Sequence, residues 1–411
     1  MSRKAIVNVF GLRGATMKRT IGAALVCNLL LLSGVQAIAQ STPNPAMTAP
    51  DQVAWQLFVQ VNARAGGSNA AFETWASDTD TFTPNPKFPT TATPPALRRP
   101  ILPEIARQGA QVAGGVRPAI APGIAQGVTE ETRHNKATFD FIVQNNLYKI
   151  SGLKAAFGKD LSFPVDSIEV KANWVAVSNI PAFTNNKVTV AQVPELYHVN
   201  STGGVKYALV SMHVISKLVP NWTWATFEHK FNPGRCDIIG CKDAFGADPA
   251  AVPASRTANQ GYPDCAKTPA LAAMLSAADI EPVYANYCLK GSQIDFVDNV
   301  GLDVRVGNSV TEQGFVATAS CMTCHGRAVF DKTGKATSTA GFLTLSANAS
   351  VGPLGPLLPA WYWKFSGQPP IFEGKSGLSR LATAADFVWS VAFCAIDDTK
   401  SPIPPSRCAG K

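Results

Sequence analysis

The residue pattern predicts an α+β protein, with a β-rich N-terminal domain of antiparallel strands and a small, mostly helical C-terminal domain. Three observations carry that expectation. IEVKANWVAV (168–177) alternates cleanly, with Ile168, Val170, Ala172 and Trp174 on one side and Glu169, Lys171 and Asn173 on the other. Two further strand-like runs, VKYALVSMHVIS (205–216) and NWTWATFEHKF (221–231), are joined only by Lys217-Leu218-Val219-Pro220, the spacing of an antiparallel hairpin. Residues 301–411 change character, with capping-box patterns at Ser309-Val310-Thr311-Glu312 and Thr383-Ala384-Ala385-Asp386.

Taken in order, residues 1–39 read as a secretory signal. A basic start (Arg3, Lys4, Arg13, Lys18, Arg19) leads into IGAALVCNLLLLSGV, and Ala37-Ile38-Ala39 offers the cleavage site. The apolar run is too short for a membrane span, so no transmembrane anchor is expected after cleavage. Removing five cationic residues lowers the formal charge from +8 to about +3, which is no nucleic-acid footprint. The expected location is periplasmic or secreted.

Thr48 to Ala63 reads as an amphipathic helix with Asp51 near its start and Val53, Phe58, Val59 and Val61 toward a core. Residues 84–127, rich in Pro, Gly, Ala and Thr, lack periodicity and are too long for an ordinary connection, so a surface excursion is expected. Residues 129–148 return to helical spacing through Phe139, Ile142, Val143 and Leu147. The strands follow, and Thr268-Pro269 opens a short helix from Ala270 to Ala278. The expected division is a signal peptide (1–39), an α+β domain (40–300) and a haem domain (301–411), the last resting on the stretch SCMTCHG (320–326).

Cys321-Met322-Thr323-Cys324-His325 has the Cys-x-x-Cys-His spacing of covalent haem c attachment. Two thiols three positions apart reach two vinyl groups on one haem edge, and the adjacent histidine sits under the iron. The motif occurs once, so one haem is expected, with Cys321 and Cys324 binding it and His325 as proximal ligand. Six other cysteines remain after signal cleavage: Cys236, Cys241, Cys265, Cys288, Cys394 and Cys408. An even remainder in an exported chain favours disulfides, and nearest neighbours (236–241, 265–288, 394–408) are the expected pairs. A metal site from Cys236, Cys241 and His229 is the competing reading.

TASCMTCHGRA resembles bacterial c-type cytochromes over about 20 residues. The pieces AWQLFVQVNA, AFETW, IEVKANW, MHVISK, WTWATFEH, ASCMTCH and ADFVWS are similar to a group of exported bacterial monohaem proteins that end in one c-haem module. The resemblance implies haem binding and electron transfer through Cys321, Cys324 and His325. The chain departs from the commonest cytochrome form in one respect: no methionine or histidine follows His325.

The second axial ligand must therefore come from elsewhere, or be absent. Met322 lies on the His325 side, Met47 in a loose lead, and Met274 at core-packing spacing with Leu271 and Leu275. Met212 and His213 are neighbours on one strand and point to opposite faces. If the hairpin pairs odd positions with odd, His213 and His229 project together, and Glu228 falls with Trp222 and Trp224, to cap a surface or pair with a cation. Tyr362, between Trp361 and Trp363, is a further candidate ligand. Those two tryptophans, with Phe330, Phe387 and Trp389, are candidate porphyrin wall. Met212 or His213 is thus the expected distal ligand, and His213, His229 and Tyr362 are the distal catalytic candidates.

These options separate the functions. Electron transfer with a redox partner protein is the leading expectation. A peroxidase- or oxygenase-like haem enzyme with an open distal face and an unidentified small substrate is the alternative. A ligand-sensing module lacks a recognisable signalling segment.

Overall fold

The computed structural model describes residues 43–98, 127–255, 257, 261–312, 316–336, 354–365 and 378–409. The signal segment and most of the 84–127 excursion lie outside these residues. Seven strands form one antiparallel sheet: β1 (Ala76–Ser77), β2 (Val128–His134), β3 (Ile168–Ala176), β4 (Val199–Thr202), β5 (Val205–Ser216), β6 (Thr223–His229) and β7 (Tyr287–Gln293). Their order is β1-β2-β3-β5-β6-β7, with β4 also paired to β5. The helices used below are α1 (Pro50–Val61), α2 (Lys136–Gln144), α3 (Ile150–Ala156), α4 (Pro269–Ala277), α5 (Cys321–Gly326) and α6 (Trp389–Cys394). The α+β class stands. No helix among the described residues is long and apolar enough to cross a membrane.

Period-two alternation gives the sheet two different faces. On one, Ile168, Val170, Ala172, Trp174, Met212, Val214, Ala225 and Phe227 pack against α1, whose Val53, Trp55, Phe58 and Val61 are buried there. Leu271 of α4 joins them, and Thr268 caps α4 by accepting from Leu271 N–H with Pro269 at the first position, as its sequence predicts. The other face meets the C-terminal segment: Ile215, Trp222 and Trp224 share a core with Cys321, Met322, Phe330, Val388 and Val391. Pro43–Lys411 accordingly forms one compact unit, and the division expected near residue 300 has no counterpart in it. The cause is this second core, which residues from both sides of that position build together.

Three local expectations are corrected. Residues 129–134 are strand, not the first turns of a helix, which begins at Lys136 with Asn135 as cap. TEETRH carries no apolar alternation, so its strand character is invisible to hydropathy. Its charges are buried and paired instead, as with Arg133 Nε on Glu131 at 2.8 Å. The capping box at 309–312 does not start a helix among the described residues. Asn308 is the capping side chain, accepting from Val310 and Thr311 N–H, while Ser309 Oγ donates to Glu228. At 383–386 no helix starts either: Asp386 and Phe387 adopt φ of 45° and 70°, and Asp386 pairs with Lys217 at 2.6 Å before α6 begins at Trp389.

The hairpin register is the fourth correction. β5 and β6 pair odd with even positions, as in Met212 with Phe227 and His213 with Thr226. His213 therefore shares a face with Trp224 and Glu228, and His229 falls on the opposite one. All six remaining cysteines pair as nearest neighbours, 236–241, 265–288 and 394–408. The Cys236–Cys241 bond removes the proposed metal ligands.

Met212 is fully buried against the α1 side of the sheet, with Asn62 Nδ2 3.6 Å from its sulfur. Met212→Ala is expected to cost about 2–5 kcal/mol of stability, read from denaturant unfolding, and to leave the optical spectrum of a loaded protein unchanged. A spectral change without destabilisation would contradict this placement.

Candidate functional site

α5 is fastened at both ends. Ser320 caps it by accepting from Thr323 N–H, and Gln293 at the end of β7 accepts from Met322 N–H at 3.1 Å. Thr323 Oγ1 donates to the Gly355 carbonyl at 2.7 Å. Gly326 closes the motif because Leu357 lies against it; a Cβ there would stand 2.4 Å from Leu357 Cδ2. The motif is thus held between the sheet edge and the 354–365 segment.

Cys321 and Cys324 are buried, and they are the free cysteines among the described residues. Burial foremost pushes both thiols up, Cys324 to about 12, with the Glu312 carboxylate acting in the same direction. They are therefore protonated and poor nucleophiles until something engages them. The His325 Nδ1–H donates to the Phe387 carbonyl at 2.8 Å, which leaves Nε2 unprotonated and able to act as a ligand. Burial holds this imidazole down to about 4, so it is neutral at ordinary pH. Trp224 packs against the ring at 4.7 Å between centroids.

The two thiols and His325 line one cavity, which with its solvent mouth holds about 1050 Å³ of space free of protein atoms. Its apolar wall includes Ile215, Trp224, Val306, Trp389 and Phe393, and the Cys394–Cys408 disulfide closes one end. Two thiols held free while every other described cysteine is paired, a ligating nitrogen fixed by a backbone carbonyl, and an aromatic wall together fit a covalently held haem.

The cavity is also lined by the charged face of the sheet. Lys171 and His213 are cross-strand partners, as are His134 and Glu169. Lys171 Nζ pairs with Glu130 at 3.0 Å, and Arg98 bridges Glu130 and Asp78. His134 Nε2 is 2.9 Å from Asp78 and its Nδ1 is 3.3 Å from Glu169. Although burial lowers it, these two carboxylates lift His134 to about 9. Burial raises Asp78, but Arg98 and His134 outweigh it and hold the carboxyl near 2.

The distal candidates separate in space. His213 lines the cavity, but its Nε2 is taken: Asn308 Nδ2 donates to it at 3.0 Å. The orientation of that amide follows from its Oδ1, which accepts two backbone N–H groups. Glu312 stands 3.5 Å from the same nitrogen. His229 lies elsewhere, stacked on Tyr197 at 3.6 Å, with Nε2–H donating to the Leu196 carbonyl and Nδ1 accepting from Phe231 N–H. Met212 faces the other core. Tyr362 is outside the cavity lining, its hydroxyl donating to the Gly326 carbonyl from beyond α5. Trp361 and Trp363 stack with Arg327 and Arg380 instead of facing the cavity. Of the expected wall, Trp389 lines the cavity, Phe387 packs on Trp224 and Phe330 is buried in the same core.

Sequence reading passed over Glu169, Lys171, Glu312 and Asn308. The alternation of IEVKANW was a signal for the first two, but a polar strand face ordinarily meets water. Glu228, by contrast, does pair with a cation, Lys290, at 3.5 Å. Comparison with protein-family models, curated proteins and solved structures yields no match.

The histidines set a pH dependence with a definite sign. His134 and His198, each between two carboxylates, are raised to about 9, so their stabilising contribution is complete below the unfolded value of 6.5 and is lost as pH climbs through 9. His229 is lowered to about 3 by burial first, so its neutral form favours folding above 6.5 and opposes it increasingly as pH falls toward 3. Stability is expected to peak near pH 6–7 in urea titrations. His134→Asn should flatten the alkaline limb; an unchanged limb would refute the buried imidazolium.

Proposed function

We propose that the chain is a c-type redox protein of an oxidising compartment, periplasmic or secreted, carrying one covalent haem on Cys321 and Cys324 with His325 as proximal ligand. One observation carries this reading: two buried, unpaired thiols and a carbonyl-tethered imidazole line a single cavity. Three disulfides elsewhere in the chain agree with export. The haem supplies reversible one-electron chemistry and, where its far face is open, a site for a small ligand.

The other residues of the cavity lining favour an open far face over a second strong ligand. No described methionine reaches the cavity, and the Nε2 of His213 is occupied by Asn308. Charged and hydrogen-bonding side chains line that side, the polarity associated with haem enzymes that bind and transform small molecules. An oxidoreductase acting on a small ligand is therefore the preferred function. Electron transfer to a protein partner is the second reading, favoured by the Trp224 ring against His325, which offers a short route through the sheet.

Expression with a haem c maturation system should give a covalently coloured chain, and Cys321→Ser with Cys324→Ser should abolish covalent attachment on a denaturing gel. The reduced wild type should bind carbon monoxide. A sharp six-coordinate low-spin spectrum indifferent to carbon monoxide would establish the electron-transfer reading, and a colourless wild type would end both.

A further inference from the structure

The two faces of β3 differ in kind. Ile168, Val170, Ala172 and Trp174 fill a core, while Glu169 and Lys171 line the cavity, the first buried and the second half-buried. Burying ionised groups costs several kcal/mol per ion before pairing offsets it, and apolar residues hold a sheet together at least as well. This polar wall therefore asks for a use.

Glu169 has a particular setting within it. Its side chain lines the cavity and is only 6% exposed. Behind it stands His134, which does not reach the cavity, and behind His134 stands Asp78. Asp78 is in turn gripped by Arg98. The Glu169–His134 contact, at 3.3 Å, is a loose ion pair instead of an aligned hydrogen bond, and Glu169 Oε2 accepts no hydrogen bond from the protein. The other carboxylate on the imidazole is tight, at 2.9 Å. Glu169 thus lines the cavity with one carboxylate oxygen, Oε2, buried against a rigidly held imidazole.

From this geometry we infer that Glu169 is the acid–base residue of the cavity, serving a small neutral ligand with an acidic O–H, such as a hydroperoxide, and that His134 is its positioning residue. In the step it performs, the ligand's O–H bond breaks, the electron pair stays on the ligand oxygen, and the proton bonds to a Glu169 carboxylate oxygen. The same carboxylic acid returns that proton to the ligand oxygen when the ligand is released, so the wall ends with its starting charge. Asp78 and Arg98 keep His134 from rotating away. Lys171 and Glu130 are committed to each other, His213 to Asn308, and Glu312 to the Asn308 N–H and His213, which leaves Glu169 as the acceptor for this task.

The inference rests on the haem-binding, open-cavity reading above, and two ligands separate the failures. Hydrogen peroxide must lose a proton as it binds at the haem, whereas carbon monoxide has none to lose. In the full-length haem-bearing protein, Glu169→Gln should slow peroxide binding about 100-fold or more, followed by stopped-flow absorbance, and leave carbon monoxide affinity of the reduced form unchanged. Glu169→Asp should restore part of the rate, and His134→Asn should give an intermediate loss with the same carbon monoxide affinity. Equal loss for both ligands, or none for either, would overturn the assignment and make Glu169 structural or idle. A wild type that carries haem yet binds neither ligand would sink the open-cavity reading and this inference with it. A wild type binding carbon monoxide but not peroxide would sink this inference alone.

Discussion

Burial of charge on one face of a twisted sheet constrains everything else in this protein. Asp78, Arg98, Glu130, His134, Glu169 and Lys171 occupy neighbouring positions with little water, and each is held by an opposite charge. Removing any one would strand a partner, at roughly 3–5 kcal/mol for a buried pair. The C-terminal segment completes this arrangement by covering the face, so the sheet and the Cys-x-x-Cys-His helix are not separable layers. That dependence explains why one compact unit replaces the two bodies that length and composition suggested.

The same arrangement makes the cavity asymmetric. On one side, His325 is tethered through Phe387 and packed by Trp224, and the two thiols are held protonated by burial. On the other, carboxylates and a lysine supply hydrogen-bonding capacity. A six-coordinate electron carrier gains nothing from such a wall, because its iron has no ligand left to exchange. A site that binds and deprotonates a small molecule does. The polarity therefore shifts weight from shuttling toward catalysis, while the proximal side serves either.

Much of the fold was legible because it obeys simple periodicity. The strands at 168–176 and 205–216, the α1 core positions and the Thr268 cap are where alternation, helical spacing and capping chemistry place them. Failures cluster where tertiary partners outweigh local preference. TEETRH is a strand because Arg98 and β3 pair its charges, and the Ser309 hydroxyl is drawn to Glu228 instead of capping a helix. The β5–β6 register could not be settled by composition, since a one-residue shift exchanges the whole face set. That shift alone moved His229 from the cavity into a stack with Tyr197.

For the site itself, covalent chemistry was written locally and environment was not. Cys321, Cys324 and His325 stand out in the sequence because the proposed haem attachment would need a fixed spacing along five residues. The three disulfides followed from parity and proximity along the chain. What stands across from His325 depended on which sheet face the C-terminal segment covers, and that is a contact between residues up to two hundred positions apart. Glu169 and Lys171 look like solvent-facing residues in the primary structure, because alternation marks a polar face without saying what covers it. Packing decided that the cover is a cavity wall and not water.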